Sequence, residues 1–337
     1  MRVGSVGAGY FAQFQLRAWQ RLDGADLVGV ADQDPARRAA LNLPGVPLYE
    51  GLSGLLLEGW LDILDIATPP ATHSRLIREA LGRVPVIICQ KPFCESLADA
   101  EALVSEVQGS TLIIHEKFRF QPWYREIAAL LAEGTLGQVS QARFALRPGD
   151  GSGPDAYLDR QPYFREMPRF LIRETGIHLI DVFRYLLGEP EAVYSDLRRI
   201  NPALAGEDAG MVIFDLAGGG RAVFDGNRTL DHAASNTRLT MGELEIEGTE
   251  ATLRLTGDGA LHLRARGSVT WHRHPYTFDD IDFGGNCVEA FQEHVLAGVA
   301  GQGRLETLAQ DYLANLRLEA AIYASDAQGA KLRLGDA

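Results

Sequence analysis

Long apolar runs are missing from this 337-residue chain. None approaches the ~20 residues needed to span a bilayer, so a membrane partner is not expected. Cysteine is scarce: Cys89, Cys94 and Cys287 form no CxxC pair and cannot build a zinc framework on their own. Buried or idle thiols are the expectation, and no metal site is assigned. Basic charge is short as well, with 32 Lys and Arg against 45 Asp and Glu and a formal net charge of -13. That balance argues against nucleic acid, whose backbone demands a basic surface. An anionic small substrate stays open, because local clusters can oppose the global sign. The chain has no GxSxG elbow and no Walker A loop. No secretory leader is expected, since the first six residues already read as a strand, and the expected compartment is the cytoplasm.

What is present is ordinary globular composition, 46% hydrophobic and 23% charged, on a chain long enough for two cores. In the first third, short apolar runs at 3–6, 27–30, 63–66, 86–89 and 112–114 alternate with stretches of helical spacing at 11–22, 72–81 and 97–107. Alternation of this kind means βαβ units: a doubly wound parallel sheet covered on both faces. After about residue 120 the grammar changes. A helix is expected at 123–131 and another at 173–187, the second stopped by Gly188 and Pro190. Period-two stretches at 139–147, 192–199, 211–216, 221–227, 238–246 and 261–266 describe a mostly antiparallel sheet with helices on one side. Two further helices, near 287–297 and 307–326, close the chain.

Gly7-Ala8-Gly9-Tyr10-Phe11-Ala12 fits GxGxxA between a strand and a helix. The first glycine allows a tight turn, the second admits a pyrophosphate, and the helix N-terminus offers N–H groups to the anion. Asp32 ends the second strand, where a ribose-binding carboxylate belongs. A carboxylate there accepts hydrogen bonds from a ribose 2′-hydroxyl and repels a 2′-phosphate, which points to NAD rather than NADP. Arg37 and Arg38 on the next helix argue the other way, although solvation is the commoner role for such residues.

Further signatures follow in order: Ala67-Thr68-Pro69-Pro70-Ala71-Thr72-His73, then Cys89-Gln90-Lys91-Pro92, then Lys117-Phe118-Arg119-Phe120-Gln121-Pro122, then Glu174-Thr175-Gly176-Ile177-His178-Leu179-Ile180-Asp181. Together they resemble the Gfo/Idh/MocA family of NAD(P)-dependent oxidoreductases over essentially the whole chain. The resemblance implies an α/β protein with an N-terminal Rossmann domain at 1–120. It implies a C-terminal α+β domain at 121–337 whose open, mostly antiparallel sheet binds substrate and mediates homodimer or homotetramer contacts. Members mostly oxidise or reduce a hydroxyl-bearing carbon of sugars, polyols and their derivatives. The lysine of their E-K-P motif falls on Lys91, and the acid and histidine of their D-x-x-x-H motif on Glu174 and His178. Gln90 replaces the usual glutamate, removing a negative charge beside the lysine, and Pro92 is a candidate for a cis peptide bond. Cofactor contacts are expected from Gly7, Gly9, Tyr10, Phe11, Asp32, Thr68, Pro69, His73, Gln90 and Lys91. Substrate contacts are expected from Lys91, Arg119, Tyr163, Arg165, Glu174 and His178. The stretch 164–184 and Gly206-Glu207-Asp208 resemble bacterial members acting on pentoses and branched aldoses such as apiose.

The residues carry their own chemistry. Lys91 follows a central strand, where ligands bind in open α/β sheets; there it can donate to a substrate hydroxyl and stabilise a developing alkoxide. Glu174, His178 and Asp181 at i, i+4 and i+7 share one face of the expected helix. A carboxylate one turn away can hold a histidine in one tautomer, so His178 is the candidate general base, with Glu174 orienting it or Lys91. A satisfied core histidine is the plain alternative. Gly176 in this helix suggests close approach by nicotinamide or substrate, or tight packing. Some of Arg143, Arg147, Arg160, Arg165, Arg169 and Arg173 bind a carboxylate, a lactone or several sugar hydroxyls, or else they pair with Asp150, Asp155, Asp159 and Glu166 on a loop or at a subunit contact; both readings stand. Residues 149–154 form a loop and a candidate lid. His272 and His274 share a strand face without a third ligand. The leading reading is reversible hydride transfer between a sugar or polyol carbinol and NAD. An NAD-dependent glycosidase working by transient oxidation and elimination is the alternative, as is a non-catalytic NAD-binding regulator.

Overall fold

Residues 63–66, Ile-Leu-Asp-Ile, are buried along their whole length, as are 86–90. A strand hidden on both faces belongs in the middle of a covered parallel sheet, and both lie there. The structure is a computed structural model and describes residues 1–335. The chain divides into two compact units, Met1–Lys117 with Cys287–Ala314, and Phe118–Asn286 with Asn315–Ala337. The stretch Cys287–Ala314, expected in the second domain, belongs to the first unit; residues 336 and 337 lie outside the described residues.

The first unit carries β1 (Arg2–Val6), α1 (Ala12–Arg21), β2 (Asp26–Ala31), α2 (Pro35–Ala40), β3 (Leu48–Tyr49), α3 (Leu52–Leu57), β4 (Ile63–Ile66), α4 (His73–Ala80), β5 (Val86–Gln90), α5 (Leu97–Glu106) and β6 (Thr111–His115). The strands pair in the order β3-β2-β1-β4-β5-β6, all parallel. The reversal of direction beside β1 makes the sheet doubly wound and puts a switch point at the carboxyl ends of β1 and β4. Short β3 escapes the sequence pattern because two residues show no periodicity. The returning segment joins through Thr307, whose carbonyl accepts from Ile114 N at 2.9 Å and whose hydroxyl donates to Ile114 O at 2.8 Å.

The second unit holds α6 (Pro122–Ala132), β7 (Val139–Leu146), α7 (Ile177–Leu187), β8 (Pro190–Arg198), β9 (Ala209–Leu216), β10 (Arg221–Asn227), β11 (Gly242–Gly248), β12 (Ala251–Leu255), β13 (Leu261–Ala265) and β14 (His272–Arg273). Helices α8 (Phe283–Val299) and α9 (Ala309–Gln328) cross the unit boundaries, and β15 (Leu332–Arg333) ends the described chain. The nine-stranded sheet runs β14-β13-β12-β11-β7-β10-β9-β8-β15 and is antiparallel except where β7 pairs β10. Along β9 and β10 buried residues alternate with less buried ones, as a sheet covered on one face requires. Phe183 of α7 meets Phe214 of β9 edge-on at 6.1 Å, and Ser195 of β8 donates to Ile322 O of α9 at 2.6 Å. The expected strand at 238–246 starts only at Gly242, because Met241 takes a left-handed φ of 59°.

The expected helix 173–187 is corrected in its first turns. Residues Leu171–Gly176 form a π-helical segment, and the α-helix begins at Ile177. Glu207 supplies the physical reason. Its carboxylate accepts from Phe170 N at 3.1 Å and Ile172 N at 3.2 Å, and its carbonyl accepts from Leu171 N at 2.9 Å. These contacts hold the amides that open the segment and widen its turn.

Candidate active site

In the first unit the expected cofactor residues gather at the carboxyl ends of β1, β2, β4 and β5. Gly7 has φ 113°, and a Cβ there would lie 2.3 Å from Ala67 O, so only glycine fits this turn. The nearest atom to a Cβ on Gly9 is Arg37 Nη1 at 4.0 Å, which leaves its outer side open to a ligand. No side chain caps α1, which leaves the N–H groups ahead of Phe14 to face an anion, while Phe14 N donates to Phe11 O at 3.1 Å. Asp32 anchors the turn: Oδ2 accepts from Ala8 N at 2.7 Å and Oδ1 from Asp34 N at 2.8 Å. Each of those oxygens keeps acceptor capacity. Arg37 pairs with Asp34 at 3.5 Å, and Arg38 donates to the Asp32 carbonyl. A cleft of about 180 Å³ opens beside Asp32, lined by Val6, Gln33, Glu50, Ser53, Thr72 and Arg75 among others.

Tyr10 is exposed and packs its edge on Phe14, while the Phe11 ring lies 4.3 Å from Lys117 Nζ. The Thr68 hydroxyl accepts from Thr72 Oγ1 at 2.7 Å, and Pro69 is exposed. His73 is wholly buried. Its Nε2 lies 2.8 Å from Thr68 O and its Nδ1 3.1 Å from Phe93 O, so it ties the turn after β4 to the loop after β5. Burial pushes its pKa below the ordinary value, against the pull of those carbonyls.

Lys91 follows β5, half-buried, and the Lys91–Pro92 peptide bond is cis. Gln90 turns inward: Nε2 donates to Gln15 Oε1 at 3.2 Å, and Oε1 accepts from Lys91 N at 2.9 Å. Cys89, Cys94 and Cys287 are buried thiols in no disulfide.

In the second unit, Glu174 sits in the π-helical segment and His178 in the first turn of α7. The His178 ring stacks on Phe118 at 3.9 Å, the two planes almost parallel, and is buried. Beneath Glu174 lies Arg228, a residue with no signature in the sequence. Its guanidinium is fully buried; Nη1 donates to Thr175 Oγ1 at 2.5 Å and lies 3.8 Å from Glu174 Oε2. Thr175 Oγ1 in turn donates to Glu174 Oε2 at 2.7 Å. Arg228 Nε donates to Tyr157 OH at 2.7 Å, and Nη2 to Asp150 Oδ2 at 2.8 Å. Burial would lower the Arg228 pKa, but the charges of Asp150, Tyr157 and Glu174 raise it above its ordinary value. The Tyr163 side chain is exposed overall, but loss of solvent around its phenol, then the Glu174 charge, push that phenol up to about 12.

The structure therefore brings Glu174, Thr175 and Arg228 together, with Tyr163 near enough to feel the Glu174 charge. Other expected substrate contacts are held elsewhere in the unit. Arg119 makes a bidentate pair with Asp181, both bonds 2.7 Å, and Asp181 also accepts from Asn315 at 2.8 Å. Arg165 donates to Pro154 O at 2.7 Å. In the arginine row, Arg143 and Arg147 meet Asp225, Arg160 meets Asp150 and Arg173 meets Glu319. Ion pairing prevails there, mostly with partners from distant elements.

The loop 149–154 is tied down rather than free to act as a lid. Gly149 N and Gly151 N donate to Leu230 O and Arg228 O at 2.9 Å, and Asn201 Nδ2 donates to Gly151 O and Gly153 O. A Cβ on Gly176 would meet Ile172 Cδ1 at 3.2 Å and Leu171 O at 3.3 Å, which favours packing as its reason. His274 pairs with Glu126 at 2.6 Å.

The comparisons with known proteins agree with this arrangement. Residues 1–118 match the NAD-binding Rossmann fold of the GFO/IDH/MocA oxidoreductase family, and 124–254 match the GFO/IDH/MocA C-terminal domain. A D-apiose dehydrogenase of Paraburkholderia graminis is 32% identical over 98% of this chain and 88% of its own length. One from Rhizobium rhizogenes is 30% identical over 98% of this chain and 96% of its own. Among solved structures, an oxidoreductase from Agrobacterium radiobacter in complex with NAD+, L-tartaric acid and magnesium has a TM-score of 0.89 and 29% identity. That likeness covers 99% of this chain and 98% of the other. With both domains matched in order, and the glycine turn, Asp32 and the Lys91–Pro92 bond in place, the chain belongs to the GFO/IDH/MocA family of oxidoreductases.

Proposed function

We propose that this protein reversibly oxidises a carbinol of a sugar or polyol with NAD, and that a branched aldose of the D-apiose type is its substrate. The observation that carries the reading is the strand-end row of the first unit. An open glycine turn, an uncapped helix start and Asp32 suit a dinucleotide, and Lys91 follows a neighbouring strand of the same sheet. NAD supplies the hydride acceptor when bound. Asp32 has acceptor capacity left for a 2′-hydroxyl, while Arg37 and Arg38 already have partners, which favours NAD over NADP. Gly7, Gly9, Tyr10, Phe11, Thr68 and Pro69 hold the cofactor in this reading. His73 and Gln90 contribute by holding the turns from behind.

Lys91 donates to the carbinol oxygen and stabilises negative charge as the carbon loses hydride. His178 takes the hydroxyl proton on a ring nitrogen, its plane held by the Phe118 stack. Glu174 orients the sugar or His178, with the Arg228 guanidinium 3.8 Å beneath its Oε2. The names of the D-apiose dehydrogenases support the substrate class. No described helix is long and apolar enough to cross a membrane, and a cytoplasmic setting fits this chemistry. The open nine-stranded sheet is the face through which a homodimer or homotetramer would form.

The test is NADH formation at 340 nm from NAD+ across D-apiose, other aldoses, polyols and sugar acids. D-apiose should be turned over best. Lys91→Ala and His178→Ala should each lose roughly 10²-fold or more in kcat while folding normally. Near wild-type turnover by either variant removes that residue from the mechanism. Silence across the panel sinks the dehydrogenase reading.

A further inference from the structure

Asp65 sits on β4, fully buried, and among the described residues no cation pairs with it. Both of its oxygens accept. Oδ2 takes the Trp19 indole N–H at 2.7 Å, and Oδ1 takes the Gln15 amide at 2.8 Å. The chain continues as Gln15 Oε1 accepts from Gln90 Nε2, and Gln90 Oε1 accepts from the backbone N–H of Lys91. The two ends of this chain, an indole N–H and a peptide N–H, can only donate. Each carboxamide between them accepts once and donates once. The chain therefore closes only if the group at position 65 accepts on both sides. An ionised carboxylate does so with both oxygens; a carboxylic acid carries an O–H, and donating it along the chain reverses the direction of the next link.

We propose that Asp65 is a positioning residue for Lys91, acting through Gln15 and Gln90, and that its proton decides which way both amides face. The functional consequence rests on the catalytic reading of Lys91 above. With Asp65 ionised, every donor in the chain meets an acceptor. Once protonated, its O–H donates to Gln15, whose amide must turn over. Gln90 then turns as well, and its NH2 group confronts the Lys91 N–H. Two donors face each other, and the strand end that carries Lys91 loses its tether.

The surroundings place this switch near neutrality. Burial pushes the Asp65 carboxyl up to about 7, against smaller downward pulls from the Trp19 and Gln15 hydrogen bonds. Cys89 of β5 is the titratable group that interacts with it, and burial holds that thiol well above its ordinary value, hence neutral. In the strand ladder Asp65 is aligned with Ser5 of β1 and Ile88 of β5. None of these neighbours carries charge at neutral pH.

The experiment follows the Trp19 indole and the Lys91 amide of the full chain in 15N–1H spectra from pH 5 to pH 9. Both should move with one midpoint, near the pH at which Asp65 titrates. In Asp65→Asn both should stop titrating, with the Lys91 amide at the wild-type low-pH position. That variant should lose on the order of tenfold in kcat, the equivalent of one unmade buried hydrogen bond, with KM little changed. Its kcat should also lose the acidic limb that Asp65 contributes. Asp65→Asn with Gln90→Glu moves the charge one link along: the new carboxylate accepts from Lys91 N and from Gln15, and Gln15 accepts from the new amide. This double variant should recover most of the lost kcat and the high-pH position of the Lys91 amide. A Lys91 amide that ignores the Trp19 midpoint overturns the proposal, and the wild-type titration decides this even if a variant fails to fold. A double variant no better than Asp65→Asn overturns it too. Full activity of Lys91→Ala with both signals titrating together would instead remove the catalytic reading and leave the coupling standing.

Discussion

Two aspartates, Asp65 fully buried in the first unit and Asp150 partly buried in the second, answer loss of solvent in opposite ways. Asp150 faces a guanidinium: burial alone would raise its carboxyl, but the Arg228 charge and hydrogen bonds, with Tyr157 and Arg160, hold it below the ordinary range. Asp65 faces an indole and a carboxamide, and there burial wins. Two neutral donors satisfy the geometry of a carboxylate without supplying the countercharge that keeps it ionised at low dielectric. The first arrangement fixes a loop and a turn. The second leaves a proton free to move near neutral pH.

The comparison breaks most visibly at Arg228. Arg228→Met takes the buried guanidinium from both Glu174 and Asp150, leaving Asp150 only the pair with Arg160, and should cost about 3–5 kcal/mol. Urea unfolding should show this as a lower midpoint at unchanged slope; a loss below 1 kcal/mol would mean the pair is not structural. A pH series sharpens the contrast, because the two aspartates act on stability with opposite sign. Asp65 has a folded pKa of about 7 against an unfolded value of 3.8. The unfolded chain therefore releases this proton first as pH rises, and stability falls from about pH 4 to about pH 7, by up to about 1.4 kcal/mol per pH unit. Asp65→Asn should flatten that decline. Asp150 has a depressed folded pKa. Its contribution is present above the unfolded value and lost as pH falls through the folded one, so Asp150→Asn should flatten the acid side instead. Identical pH profiles for both variants would erase the distinction. The smallest effect is expected from Thr175→Val, which keeps shape but removes the hydroxyl between Arg228 and Glu174. About 1–2 kcal/mol should be lost in the same urea assay.

Much of the first unit was legible in the chain. The run 63–66 is a strand with those bounds, the glycine turn follows β1, and Asp32 stands beside it, because these features depend on local pattern and short spacing. The cis Lys91–Pro92 bond and the buried thiols also match expectation. The second unit was read less completely. The π-helical segment at Leu171–Gly176 answers to Glu207, more than thirty residues away, which no helical periodicity can register. The arginine row was visible, but its acids come mostly from β10 and α9 rather than from the nearby Asp155, Asp159 and Glu166. Arg228 looked like any arginine at a strand end. The return of Cys287–Ala314 to the first unit depends on pairing near Ile114, some 190 residues earlier.

By itself the sequence determined the class of the protein: a doubly wound parallel sheet with a dinucleotide turn and a lysine at a strand end, followed along the chain by a mostly antiparallel sheet. Those features are written in periodicity and in the few residues that a tight turn or an anion tolerates. Only the tertiary structure decided which carboxylates carry charge. A pKa depends on the atoms packed around a group and on whether any is a cation, and the partners of Asp65, Asp150 and Glu174 are brought together by folding rather than by spacing along the chain.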